Sequence, residues 1–354
     1  MQTEIVRTSS RLAEVGPAWD ALWRRGDQSV FQSHGWVAAW WNSRRADDKS
    51  QLCVGLCWAE GELVAVMPFA TRRHRGVRVL EWAAKDCSDY CDALVDRGSA
   101  ESCRAIERVW AAVVADAGFD LAYLSHVRPD AALYKLLDGQ QQALRLKRGQ
   151  RSATSRQVDY TRFDGQAWFG SLNEEMRDNH AHGMRVISEM GPVSSKIHGS
   201  ADAIDGVIER MIDLKRRWLA DTGQGYTILD DGARMFRAIV KELARQNALQ
   251  IFSLHCGDAL VAALLNIKAT TRKQVFFATY DPRFAHALPE ALAMVELIIR
   301  SLDMGMTQVD LLCIEDDSAF AFTNARIDLA SYVGSRTLIG AVALAVGERL
   351  ERAR

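Results

Sequence analysis

Two carboxylates and a phenol sit where strand-like segments end. Asp281 follows Tyr280 at the close of an apolar run, Gln274-Val275-Phe276-Phe277-Ala278-Thr279-Tyr280, and Asp310 interrupts the apolar stretch Val309 to Leu312. A carboxylate in a partly dry site, or a water that it holds, can take a proton from an amine. An amine with a pKa near ~10 must lose that proton before it attacks an acyl group. A tyrosine hydroxyl or a backbone N–H can stabilise the oxyanion that forms. Parallel placement of the two strands brings Tyr280, Asp281 and Asp310 to one rim of a sheet. The plainer accounts are a turn started by Asp281-Pro282 and a charge marking a strand edge at Asp310.

A second feature adjoins the first. The loop Arg283 to Leu288 leads to Pro289 and then to Leu292, Val295, Ile299 and Leu302, spaced as one face of a helix. Proline suits the first helical turn, where its missing N–H costs nothing. A strand that feeds a helix N-terminus offers unpaired N–H groups and a favourable dipole to a phosphate. Leu288, Pro289, Glu290 and Ala291 are therefore the candidate cofactor-binding residues.

Other polar groups offer weaker chemistry. Asp89-Tyr90-Cys91-Asp92 forms a polar knot between strand-like segments, either an acceptor-binding loop or a plain surface loop. Arg177, His182 and Arg185 lie on a helical segment and could meet an anion. Asp178, His182, Arg185 and Glu189 also fall on one stripe, as in a solvated, salt-bridged face. No metal site is expected. His180 and His182 point to different faces of a helix, and Cys53 and Cys57 lie roughly 13 Å apart on a strand, too far for one zinc. Cys256 beside His255 has the composition of a nucleophile and base, but adjacent strand residues point apart. Helical spacing assigns the tryptophans between Trp19 and Trp41 to a core.

The elements that must position these groups alternate. Helices are expected around Trp19 to Trp23, Trp36 to Trp41, Ile106 to Val113 and Ala131 to Leu137. Strands are expected at Leu52 to Trp58, Leu63 to Phe69, Arg78 to Ala83 and Phe119 to Ser125. Lys147 to Gln157, rich in Arg and Ser, is the best candidate domain junction, or else a strand pair crossing between domains. Beyond it a helix from Glu174 stops at Gly191-Pro192, and a strand covers Val193 to Ile197. Two helices follow, carrying Ile204 to Trp218 and Phe236 to Leu243. A hairpin comes next, Leu249 to His255 and Ala259 to Lys268, turning at Cys256-Gly257-Asp258. Thr307 to Leu312 and Arg326 to Val333 are the closing strands. The same loose order appears in both halves. The chain therefore reads as an α/β (α+β) protein of two domains, 1–150 and 151–354, each a mixed, largely antiparallel sheet flanked by helices.

The chain has 354 residues, 48% of them hydrophobic and 25% charged, which is ample for two globular cores. A net charge of −1 provides no overall field for nucleic acid or an anionic membrane. No signal-like apolar stretch opens the sequence. The apolar run Leu338 to Val346 is shorter than the roughly 20 residues that span a bilayer. Seven scattered cysteines, an odd number, point to reduced thiols and a cytoplasmic protein.

These residues resemble, in order and spacing, the GNAT superfamily of acyltransferases. The closer likeness is to the acetyltransferase-like family associated with cellulose biosynthesis, related to the Fem-type peptidoglycan transferases. In the first half the likeness rests on Trp23, Phe31-Gln32-Ser33, Trp36, Trp40-Trp41, the hairpin from Gly61 to Pro68, and Asp89 to Asp92. In the second it rests on Arg177, Asn179, Arg185, Cys256-Gly257-Asp258, Val261 to Ala263, Tyr280-Asp281-Pro282, Phe284-Ala285, Pro289 and Asp310. The resemblance implies two GNAT-like domains with a cleft between them and acyl transfer to the amine of a small molecule or sugar. The donor it implies is acetyl-CoA or another acyl-CoA. It implies catalytic roles for Asp310, Asp281 and Tyr280, and substrate contacts from Gln32, Asp89, Tyr90, Asp92, Arg177 and Arg185. Two positions depart from the family pattern. Glu290 stands where a glycine usually follows the proline, and Glu315-Asp316-Asp317-Ser318-Ala319-Phe320 lacks the usual Tyr-Lys pair. Both weigh against ordinary CoA use. They keep open a non-catalytic binding protein of the same fold. A Fem-like transferase using aminoacyl-tRNA is the other alternative, although no long heptad segment supplies its helical arm.

Overall fold

A computed structural model describes residues 1–26, 29–45, 47–96, 101–116, 118–137, 143–160, 164–199, 201–223, 225, 227–269, 271–313 and 322–352. The segment Glu315 to Phe320 lies outside these described residues. The chain folds as two compact units, Met1–Ala153 with Asp328–Arg354, and Thr154–Ile327.

The first unit contains β1 (Gln2–Val6), α1 (Ser9–Glu14), α2 (Gly16–Gly26), α3 (His34–Ser43), β2 (Gln51–Ala59), β3 (Glu62–His74), β4 (Val77–Trp82), β5 (Leu94–Val95), α4 (Ser102–Asp116), β6 (Leu121–Val127) and α5 (Tyr134–Leu137). Strand β7 (Lys147–Asp159) then carries the chain from the first unit into the second. The second contains α6 (Gly165–Ser171), α7 (Glu174–Met190), β8 (Val193–His198), α8 (Ala201–Thr222), α9 (Asp230–Arg245), β9 (Leu249–Cys256), β10 (Ala259–Lys268), β11 (Arg272–Tyr280), α10 (Pro289–Asp303) and β12 (Gln308–Cys313). Strand β13 (Ala325–Ser335) returns the chain to the first unit, which α11 (Leu338–Arg352) completes.

The two units share one plan. In the first, β1, β2, β3 and β4 pair antiparallel, β4 pairs parallel with β6, and β13 closes antiparallel on β6. In the second, β8, β9, β10 and β11 pair antiparallel, β11 pairs parallel with β12, and β7 closes antiparallel on β12. Each parallel step needs a crossover, supplied by α4 and α10 respectively. The closing strands are exchanged. β7 follows β6 in the chain but closes the second sheet, and β13 follows β12 but closes the first. Residues 328–354, which the sequence groups with the second half, thus cluster with the first unit. Their partners lie on β4 and β6, about two hundred residues upstream, beyond the reach of any local pattern.

One core per unit holds each sheet to its helices. In the first unit Phe69, Trp82, Trp110 and Phe119 are fully buried together. Trp19, Trp36 and Trp40 are buried as their helical spacing requires. In the second, Trp168, Phe252, Leu264, Leu292 and Ile298 pack one sheet face against α6, α7 and α10. Each fully buried large side chain of this kind contributes on the order of 1.5–3 kcal/mol. The opposite face carries α8 and α9, with Phe236 and Phe277 in ring contact at 4.5 Å. No helix among the described residues is long and apolar enough to cross a membrane.

Candidate active site

The second sheet opens at its parallel pair. β11 and β12 are in register only from Arg272 to Gln274 against Gln308 to Asp310, although β11 runs on to Tyr280 and β12 to Cys313. The strands therefore part beyond Gln274. On its other side β11 carries one extra residue, Phe276, because Leu265 faces Phe277 while Asn266 faces Val275. A bulge of this kind twists a strand away from its neighbour, which suits the parting.

The parted strand ends at the start of α10. Asp281 is buried and accepts a hydrogen bond from Arg283 N at 3.0 Å, capping a short helical turn over Pro282–Ala287. Arg283 also donates to it from Nε at 2.9 Å. Burial pushes the Asp281 carboxyl up, but the hydrogen bonds and charge of Arg283 outweigh it and hold the group below the usual range. Asp281 is thus an anchor for the turn and a weak base. Leu288 then takes a left-handed conformation, φ +52°, and Pro289 occupies the first helical turn. Proline brings no N–H, so the first backbone donors of α10 belong to Glu290 and Ala291. Helix α7 supports this turn at very close range. A Cβ at Gly183 would stand 2.6 Å from the Ala287 carbonyl oxygen, so only glycine fits there. A cavity of about 420 Å³ lies beside the helix start, bordered by Leu288, Ala291 and Val295 and by Met176, Asn179 and His180 of α7.

Glu290 is half-buried and interacts electrostatically with Lys215 of α8. Burial raises the carboxyl and Lys215 draws it partly back. Lys215 is lowered by burial and partly restored by Glu290. Its Nζ stands 4.3 Å from the Trp218 ring centroid and 5.9 Å from that of Phe277. The charge that departs from the family pattern is thus partly compensated.

Asp310 is fully buried. Its Oδ1 accepts from Ser155 Oγ at 3.0 Å and from Leu312 N at 2.9 Å, and its Oδ2 from Gln274 Nε2 at 3.3 Å. Leu312 has φ +61°, and the β12–β7 register shifts between Asp310 and Cys313. The carboxylate thus fixes an irregularity in β12 and ties β7, β11 and β12 together where the strands begin to part. Tyr280 is half-buried and packs against the core beside α10. Tyr280, Asp281 and the Leu288–Ala291 turn fall together at the end of β11. Asp310 sits at the opposite, paired end of the parting.

The remaining candidates have local partners. In the first unit Gln32 Nε2 donates to the Tyr90 carbonyl at 2.8 Å, and the Arg128 guanidinium lies 4.8 Å from the Tyr90 ring. Asp92 accepts from the backbone N–H groups of Ala93, Ala132 and Leu133 at 2.7, 2.8 and 3.0 Å. Asp89 is half-buried in the same loop. Gln32, Tyr90 and Asp92 are buried, and their hydrogen bonds fix the loop. Burial pushes the Cys87 and Cys91 thiols well up, so both stay protonated. In the second unit Arg177 donates to the carbonyls of Gly170 and Leu172 at 2.8 and 2.7 Å and so closes α6. Arg185 bonds His182 at 2.9 Å on an exposed face.

Sequence reasoning passed over a polar patch on the α8 side of the second sheet. Ser253 Oγ lies 2.8 Å from His198 Nε2 and 2.9 Å from His255 Nε2. The available signal was parity: Ser253 and His255 alternate on one strand, Lys196 and His198 on the next. Cys256 turns the other way and meets the Ile187 carbonyl at 3.5 Å.

Comparison with known proteins bears on the fold. The acetyltransferase (GNAT) domain family matches residues 174–320. That match lies within the second unit, Thr154–Ile327, and spans about two fifths of the chain. It is similar in fold to the C-terminal domain of a putative lysylphosphatidylglycerol synthetase from Agrobacterium fabrum, at 11% identity and TM-score 0.58, covering 94% of this chain and 95% of that one. The structure of FemX is similar over 94% of this chain and 97% of its own, at 8% identity and TM-score 0.57. A conserved protein of unknown function from Bacteroides thetaiotaomicron is similar over 94% and 99%, at 12% identity and TM-score 0.56. No curated protein matches the sequence. Among the described residues no group of three or more His, Cys, Asp or Glu is placed to hold a metal ion.

Proposed function

We propose that the protein is an N-acyltransferase that moves an acyl group from an acyl thioester, acetyl-CoA or another acyl-CoA, to the amine of a small molecule or sugar. The observation that carries this reading is the parting of β11 from β12 directly before the α10 N-terminus. Parted strands leave room for a thioester arm, and the Glu290 and Ala291 N–H groups suit a pyrophosphate. The cavity beside Ala291 and Asn179 fits the rest of the donor. In the reaction the amine nitrogen attacks the thioester carbonyl carbon. The C–S bond breaks, the thiol leaves with a proton, and an amide remains. Tyr280, at the strand end, is the group we assign to the oxyanion or the departing sulfur. Asp310 and Asp281 act as positioning residues, one for the parted strands and one for the turn before α10. Gln32, Asp89, Tyr90 and Asp92 remain the candidate substrate-binding residues of the first unit. We keep two GNAT-like domains and a cytoplasmic site of action in the proposal. We also keep membership of the cellulose-associated family in it.

Likeness in fold to FemX favours aminoacyl-tRNA as a second donor class. Among the described residues the longest helix is α8, at 22 residues, so no long helical arm supports it. The test is release of free thiol from acetyl-CoA and longer acyl-CoAs in the presence of a panel of amines and amino sugars. Amine-dependent thiol release supports the proposal. Transfer from aminoacyl-tRNA alone would replace it with the second reading.

A further inference from the structure

We propose that the α8-facing side of the second sheet is a binding subsite for an oxyanion, a phosphate or phosphate ester, held by His198, His255, Lys196 and Arg210. Ser253 is fully buried and His255 nearly so, while His198 is half-buried. A single hydroxyl bridges both imidazoles, at 2.8 and 2.9 Å. A serine hydroxyl has one proton, so in the neutral state it donates to one imidazole and accepts N–H from the other. Among the described residues neither ring bonds an acid. The charged groups that act on both rings are Lys196 of β8 and Arg210 of α8, and burial together with those cations lowers both imidazoles. Neither Lys196 nor Arg210 has an acidic partner among the described residues. Nearby Glu209 is taken up by Arg237 at 2.7 Å. Two imidazoles thus share one buried hydroxyl while two exposed cations act on both rings, an arrangement that an anion would relieve.

A second observation points the same way. Lys196, Ser253, Ala263 and Thr279 lie in one register row across β8, β9, β10 and β11, with side chains on one face. Thr279 is 1% exposed, and its hydroxyl has no hydrogen-bond partner among the described residues. At roughly 4.8 Å per strand Thr279 stands about 10 Å from Ser253. The row thus runs from the histidines to Thr279 near the end of β11. The subsite deepens the acyltransfer reading, on which it rests, by giving the amine acceptor an anionic group.

The experiment titrates inorganic phosphate into the full chain at pH 7 while the imidazole C–H signals are followed by NMR. We expect saturable shifts for His198 and His255 and none for His34. The double variant Lys196→Gln/Arg210→Gln, altered at two exposed side chains, should bind phosphate about tenfold more weakly or worse. Shifts that never saturate, or equal affinity in the double variant, overturn the subsite. Glucosamine 6-phosphate separates the sources: tighter binding than phosphate puts the anion on the acceptor, and equal binding assigns the subsite to free phosphate. Phosphate binding is read without any acyl donor, so its failure and a failure of acyl transfer are distinguishable.

Discussion

The carboxylate of Glu290 on α10 and the ammonium of Lys215 on α8 act on each other, and burial moves both toward their neutral forms, Glu290 up and Lys215 down. The pair sits at the helix start where the donor's phosphates are proposed to bind. Glu290→Gly should therefore tighten CoA binding several-fold, because a negative charge leaves the first turn. It should also lower Tm. The lost helix-dipole interaction is worth ~0.3–1 kcal/mol, and glycine adds up to ~1 kcal/mol of helix propensity. Calorimetry with CoA and a thermal melt check both parts, and an unchanged affinity moves the phosphate site elsewhere.

Lys273 predicts a pH dependence. It is fully buried on β11, its Nζ has no hydrogen-bond partner among the described residues, and burial lowers it to about 8, with Lys268 adding to the shift. The unfolded chain holds this proton to about 10.4. Between those values the unfolded state binds more protons, so stability rises with pH across the window. Below pH ~8 the full cost stands. Lys273→Met should be more stable than the wild type at pH 7 by on the order of 2–3 kcal/mol, with the gap closing by pH ~10. Denaturant melts at several pH values test this, and a gap independent of pH contradicts it.

Asp310 separates positioning from proton transfer. Asp310→Ala leaves Leu312 N–H, Ser155 and Gln274 with one acceptor fewer inside the sheet. The expected loss of stability is ~1–3 kcal/mol for each donor left unsatisfied. Asp310→Asn retains one oxygen and should cost less. If Asp310 only positions the strands, the residual activity of the Asn variant keeps the wild-type pH–rate profile. Loss of one limb of that profile would make Asp310 the base.

Much of this arrangement is written locally in the sequence. The run Gln274 to Tyr280, the Asp281-Pro282 turn and the Pro289 helix start are set by apolar runs, a side-chain cap and a fixed proline φ, and each forms as its pattern requires. The α7 boundaries follow from Asn173 as cap and Gly191 as stop. The exchange of β7 and β13 was not legible, because partner choice between strands about 150 and about 200 residues apart leaves no local periodicity. The chemistry of single residues was partly hidden for a similar reason. Asp310 looks catalytic as a charge in an apolar strand, yet Ser155 comes to it from β7 and Gln274 from β11. His198, Ser253 and His255 meet only through pairing of β8 with β9.

The central claim is that an acyl thioester is held at the start of α10, and calorimetry of acetyl-CoA with the wild type and Ala291→Glu tests it most directly. Ala291 borders the cavity and lies in the first turn, where an acidic side chain favours the helix dipole, so the variant should melt no lower than the wild type. The account predicts saturable one-to-one binding to the wild type and at least about tenfold weaker binding to the variant, since the new charge opposes the pyrophosphate. Equal affinity in the two proteins, or no binding of any acyl-CoA to the wild type, would contradict it.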